Sequence, residues 1–425
     1  MKSLGLLKVF PLAGLLFIGA CSSDIKDDVE IPIEPEEPEE NYVNLSEEGL
    51  ANCYIVQSPG SYMLKADNLF NQGEGLPVPP EIKPDSAALI WQTERSGISK
   101  VFLVFENEDP YIKFKVEKAK GNALIAVFNQ EGEIEWSWHI WMPTEEPYSV
   151  MSASGCEVMS MNLGALDNKP GSASSYGMLY QWGRKDPFPA SATLTGDVNT
   201  LSAPMYDITN RLVLLSNSSW YDDSDNTLEY SISHPTEVLS NYSHYASTRD
   251  WLKSEEGNDA LWGNPNGYEK DESNIEFVNK GRKTCYDPSP LGWRVPSPDV
   301  FMFFTPTGGY AWDYADFNIH DFNGDGVLDI NDYNYGWHFL MDSETPLFFP
   351  ASSRFDGSYA MLMGSMSGLW GNYWSNSPSQ TMIGGGFCAL GFQVQDQYGN
   401  PMVSVSPSAS SSKADAFAVR CIRDN

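Results

Sequence analysis

One twelve-residue segment has a spacing of side chains that specifies a chemistry. Asp321, Asn323, Asp325, Gly326, Asp329 and Asp332 fall at positions 1, 3, 5, 6, 9 and 12 of a run reading Asp-Phe-Asn-Gly-Asp-Gly-Val-Leu-Asp-Ile-Asn-Asp. Calcium takes about six to eight hard oxygen ligands, and alternate positions of a tight loop can supply them from one short stretch. Asp321, Asn323 and Asp325 offer side-chain oxygens and Val327 its backbone carbonyl, while Asp329 acts directly or through water and Asp332 closes the set. Gly326 allows the sharp turn, and Leu328 supplies an apolar residue at position 8. The expected cofactor is therefore Ca2+. It either staples a long loop or bridges a ligand.

Other chemistry is sparse. The five histidines (His139, His234, His244, His320, His338) accompany no Gly-x-Ser-x-Gly, His-Glu-x-x-His or phosphate-loop pattern, so no turnover is expected. His139 alternates with Trp138 and Trp141 in one run and reads as a packed or surface histidine. Beyond Cys21 stand Cys53, Cys156, Cys285, Cys388 and Cys421, an odd number that allows up to two disulfides with one thiol left over. No Cys-x-x-Cys occurs, so zinc and thioredoxin-type chemistry have no support. Trp370, Tyr373 and Trp374 could stack on a sugar face, although alternating aromatics in a strand also build cores.

The composition narrows the partners. The chain has 425 residues with 26 Lys+Arg against 57 Asp+Glu, a formal charge of −31, which excludes nucleic acid as an expected partner because binding phosphates needs a basic surface. The 13 Trp, 21 Tyr and 21 Phe supply ample material for packed cores and for exposed stacking platforms. Residues 1–20 join Lys2 and Lys8 to a short apolar run and end in Gly19-Ala20 before Cys21, the layout of a secretory signal too short to span about 30 Å of hydrocarbon.

The elements that must position these residues divide by texture. Residues 21–41 alternate Pro with Glu and Asp, as an extended acidic linker does. Residues 42–147 hold seven β-rich runs, at 53–56, 61–65, 87–91, 100–105, 111–116, 123–128 and 134–141, with Gly, Pro, Asn and Asp between them. This predicts an all-β sandwich whose last two strands form a hairpin around 129–133. Residues 148–425 are loop-rich, predicting an α+β domain with short helices opening at Asp250 and, capped by Ser297, at Pro298. Strands are expected at 347–349, 371–375, 387–394 and 416–422, and the acidic stretch at about 311–335 reads as an insertion.

Several motifs carry family resemblances. Ile18-Gly19-Ala20-Cys21 resembles a bacterial lipobox, which implies lipidation of Cys21, with palmitate as an acyl group, and anchorage in the cell outer membrane. The acidic stretch after Cys21 resembles the surface-export signal of Bacteroidetes lipoproteins, which implies a protein facing the cell surface. Residues 158–165 (Val-Met-Ser-Met-Asn-Leu-Gly-Ala), 177–188 (Gly-Met-Leu-Tyr-Gln-Trp-Gly-Arg-Lys-Asp-Pro-Phe), 286–297 (Tyr-Asp-Pro-Ser-Pro-Leu-Gly-Trp-Arg-Val-Pro-Ser), 373–375 and 418–421 together resemble the Fibrobacter succinogenes major paralogous domain, with 261–268 adding to the match. That domain is similar to C-type-lectin-like and formylglycine-generating-enzyme-like folds. The block at 42–147 resembles the Ig-like β-sandwich module that precedes it in surface lipoproteins, some of them fimbrial tip proteins.

These resemblances imply a non-catalytic adhesin or fimbrial tip-like subunit. Its partners would be a host or bacterial surface glycan or protein, and fimbrial subunits. The alternative is a surface glycan-binding protein for polysaccharide capture. The family usually has Cys at the position of Ser289, as partner to the one at Cys421; here the nearest candidate is Cys285, so the resemblance implies a Cys285–Cys421 bridge. The 321–332 loop resembles EF-hand and, in ending on Asp332, dockerin loops. The sugar-binding tripeptides of C-type lectins are absent.

Overall fold

A computed structural model describes residues 41–217, 226–240, 249–253, 258–266, 269–270, 275–276, 280–379, 382 and 384–425. The signal segment, Cys21, the linker to residue 40 and parts of the runs at 250–255 and 261–268 lie outside the described residues. The described chain is predominantly β-sheet, with one α-helix, Leu228–Ser233, and short 3-10 turns. No helix among the described residues is long and apolar enough to cross a membrane.

The seven runs of the amino-terminal block all form strands, because each is a β-branched or aromatic stretch bounded by turn residues. One sheet orders them Val43–Asn44, Gly60–Lys65, Asp109–Val116, Ile98–Glu106. The facing sheet runs Ser86–Gln92, Gly121–Phe128, Ile134–Met142, Cys53–Ile55, with the expected hairpin pairing Gly121–Phe128 to Ile134–Met142. Met205–Tyr206 and Leu212–Val213 extend this sheet beyond Ser86–Gln92, through Tyr206 opposite Gln92. Gly121–Phe128 is buried along almost its whole length, with Phe128 alone partly exposed, as befits a central strand covered on both faces.

The rest of the chain builds a nine-stranded sheet whose path is Phe188–Pro189, Met178–Gln181, Ala416–Ala418, Trp370–Pro378, Gly385–Gln395, Pro401–Ser406. A four-stranded sheet places Ile422–Arg423 between Trp293–Arg294 and Glu157–Met159. The described residues from Asn41 onward form one compact unit. Trp91, Trp136, Trp138 and Trp141 share a hydrophobic core with Trp182, Trp262 and Trp374. A second core gathers Phe301, Phe304, Phe339, Phe349, Tyr373 and Phe392. The helix expected to open at Pro298 is only the 3-10 turn Met302–Phe304, without a side-chain cap bond. Stacking of Phe304 on Phe339 (4.1 Å) and packing of Phe301 edge-on to Phe349 (5.3 Å) set the backbone there, and tertiary packing overrides local helix signals.

The resemblance-bearing motifs are buried hubs. In residues 183–187, Lys185 Nζ donates to Asp186 Oδ1 (2.7 Å) and to Ser137 Oγ (2.5 Å), tying this motif to Ile134–Met142. Arg184 donates to the carbonyls of Ser231 and His234 (3.2 Å each), closing the carboxyl end of the helix. Arg420 donates to Asn162 Oδ1 (2.9 Å) and to the carbonyls of Ser160 (2.7 Å) and Phe348 (2.9 Å).

His139 is buried, its Nε2 bonded to Asn122 Oδ1 at 2.8 Å and its Nδ1 3.4 Å from the Tyr180 hydroxyl. The Asn122 amide nitrogen donates to the Gly164 carbonyl, which leaves Oδ1 as acceptor and puts the imidazole proton on Nε2. Burial pushes its pKa down to about 3. The unfolded chain protonates near pH ~6.5, so it binds the extra proton first as pH falls. The His139 contribution is therefore complete above pH ~6.5 and is lost between there and about pH 3. The denaturant midpoint of the wild type should fall through that window more steeply than that of His139→Gln. Parallel profiles would refute this.

Candidate metal centre

The 321–332 loop hangs from a pinned base. His320 N donates to His338 O (2.8 Å), and Leu340 N donates to Asn318 O (2.9 Å). The chain leaves this short antiparallel pairing at Asp321 and re-enters at Gly336–Leu340, which pairs with Pro346–Pro350. Leu328 and Tyr333 pack on the second core, so position 8 anchors the loop as its apolar character implies.

Inside the loop each polar side chain turns its own backbone. Asp321 accepts from Gly324 N and Gly326 N, both at 2.7 Å. Asn323 Oδ1 accepts from Asp325 N, and Asp325 Oδ1 from Val327 N, both at 2.8 Å. Gly324 and Gly326 adopt φ of 74° and 81°, a left-handed region that penalises residues with a Cβ. Asp329 caps the turn Ile330–Asp332, and the two carboxylates complete a reciprocal capping box. Asp332 is 1% exposed; its Oδ1 accepts from Phe322 N (2.8 Å) and Asn323 N (3.2 Å), and its Oδ2 from Asp329 N (3.1 Å). The closing aspartate thus ties both ends of the loop together.

The donor set fits a hard divalent cation. It consists of carboxylate, amide and carbonyl oxygens, and the chain holds nine Asp or Glu and no Lys or Arg between Arg294 and Arg354. Asp321, Asn323, Asp325, Val327, Asp329 and Asp332 are the groups that would hold the ion. It would supply charge neutralisation within this acidic segment. Among the described residues no group of three or more His, Cys, Asp or Glu side chains is gathered as a metal cluster. The loop oxygens instead rest on backbone amides.

Two of the expected sites are corrected. Tyr373 and Trp374 are both 0% exposed and cannot stack on a sugar: the Tyr373 hydroxyl donates to Pro350 O (2.7 Å) and Trp374 Nε1 to Tyr180 O (2.8 Å). Their strand lies inside the nine-stranded sheet, with both faces covered. Trp370, at the strand end, is partly buried, with the Arg354 guanidinium over its ring at 5.5 Å. The Cys285–Cys421 bridge is also absent, since Cys53, Cys156, Cys285, Cys388 and Cys421 are all free thiols. Cys285 Sγ points to Pro77 O (3.5 Å), whereas Cys421 Sγ lies 3.3 Å from Ser289 Oγ.

Sequence reading missed the exposed pair Tyr310 and Trp312 beside the loop. The local signal was an aromatic-Ala-aromatic run between Gly308-Gly309 and Asp313. The adjoining Tyr314 packs on Trp337, as does Tyr333 just past the loop, which places this segment against the acidic loop; burial and then the Asp329 carboxylate raise the pKa of the Tyr314 hydroxyl. No family model, curated protein or solved structure matches the chain.

Proposed function

We propose that the chain is a non-catalytic, lipid-anchored surface protein of the outer membrane, acting as an adhesin or fimbrial tip-like binding subunit whose carboxy-terminal part is calcium-stabilised and C-type-lectin-like. The observation that supports its calcium clause is the loop of Asx turns at Asp321, Asn323 and Asp325, closed by buried Asp332 on a core-anchored hairpin; the anchoring and adhesin clauses rest on the lipobox and domain resemblances of the sequence. A loop so held gains stability from a bound cation, because an ion that binds only the folded chain shifts the folding equilibrium.

At calcium about a hundredfold above its Kd the gain is about 2.7 kcal/mol. Thermal unfolding of the full chain should therefore move upward in calcium and back in chelator, with no response in Asp321→Ala. Equal melting in calcium and chelator would remove the stabilising role. For adhesion, cells lacking the protein, or carrying Cys21→Ala, should adhere less to host or bacterial surfaces than the wild type. Unchanged adherence would overturn the adhesin reading.

A further inference from the structure

Tyr310 and Trp312 are 58% and 57% exposed, yet they are ordered against each other, with ring centroids 5.7 Å apart and planes 14° from parallel. Both lie outside the two hydrophobic cores. Ala311 between them is buried and exchanges both backbone bonds with Val405, at 2.9 and 3.0 Å. In such an extended, paired segment residues i and i+2 leave the backbone on one side. Asp313 then caps the next turn, Tyr314–Asp316, by accepting from Ala315 N at 3.1 Å. The ring pair is thus held out from a backbone fixed on both sides, and is not one of the scattered single apolar residues that every surface carries.

Charge excludes anionic partners. The rings stand in the stretch with nine acidic and no basic residues between Arg294 and Arg354, in a chain of net charge −31. That field repels phosphate, sulfate and carboxylate groups, and equally a second copy of this chain. A neutral sugar ring presents an apolar C–H face to an aromatic and hydroxyl donors at its rim. The exposed carboxylates that follow in sequence, Asp313 and Asp316, are acceptors of the kind such hydroxyls need. We propose that Tyr310 and Trp312 form a stacking platform for a neutral hexose or N-acetylhexosamine ring. This rests on the surface-binding reading and gives it a ligand class and a place.

The test uses the full chain in detergent, probed with immobilised neutral, sialylated and sulfated oligosaccharides and with a lysine-rich peptide. Neutral oligosaccharides should be retained, and Trp312→Ala and Tyr310→Ala should each weaken binding about tenfold, with unchanged melting temperatures. Tyr359→Ala, which removes another exposed aromatic, should bind as the wild type does. Undiminished binding by Trp312→Ala, preference for sialylated or sulfated chains, retention of the peptide alone, or no neutral oligosaccharide bound would each overturn the platform. Cells that adhere fully when complemented with Trp312→Ala would overturn it while leaving the adhesin reading standing.

Discussion

Asp287→Ala should destabilise the protein by about 3–5 kcal/mol, seen as a lower denaturant midpoint, because it strands a buried lysine. Asp287 Oδ1 accepts from Lys283 Nζ (2.7 Å) and from Ser289 N (2.8 Å), and Oδ2 accepts from Val295 N (2.9 Å). Lys283 and Asp287 have side chains only 3% and 1% exposed, so water cannot replace the lost carboxylate. Lys283 would keep one further partner, the Ser289 carbonyl at 2.9 Å. Asn52 also donates to the backbone carbonyls of Cys285 (2.6 Å) and Asp287 (2.9 Å), so the damage spreads to the amino-terminal strands. The paired replacement Lys283→Met with Asp287→Leu should recover much of the loss, since removing both charges removes the stranded one. A single variant within about 1 kcal/mol of the wild type would show that the pair is dispensable.

The second large effect has the opposite sign. Cys421 Sγ already touches Ser289 Oγ at 3.3 Å across 132 positions of chain. Ser289→Cys should therefore close a disulfide with Cys421 in place of the missing bridge to Cys285. Constraining an unfolded loop of that length is worth at most about 5 kcal/mol. Burial pushes the Cys421 thiol up to about 12, so the folded chain should oxidise slowly and the bond should form best during refolding in an oxidising buffer. The readout is a loss of two titratable thiols together with a melting temperature that falls on adding reductant. Thiols that stay free after oxidative refolding would show that the two side chains do not reach bonding geometry.

The amino-terminal strands were legible because each is written locally, in β-branched and aromatic runs with turn residues at both ends. Their neighbours were not. Nothing in Met205–Tyr206 announces that Tyr206 lies opposite Gln92, and no pattern reveals that Trp136 and Trp374 share one core. Such pairings are set by non-local packing. The turns of the 321–332 segment were legible for the same reason as the strands, most of them being closed by residues two to five positions apart. Tyr373 and Trp374 misled because alternating aromatics look alike whether one face of a strand is solvated or both are covered. Cys285 misled because a displacement of four residues from Ser289 redirects the side chain to Pro77. The motifs that carry the family resemblance sit around Lys185, Asp287 and Arg420, all buried, so they specify scaffold and say little about ligand.

Ile422–Arg423 is an inner strand, flanked by Trp293–Arg294 on one side and Glu157–Met159 on the other, and the Arg420 guanidinium just before it reaches the Met159, Ser160 and Phe348 carbonyls. Contacts of such long sequence separation form slowly. The sheet that joins residues 157–159, 293–294 and 422–423 is therefore a late step of folding and not its nucleus, so substitutions inside it should speed unfolding more than they slow folding.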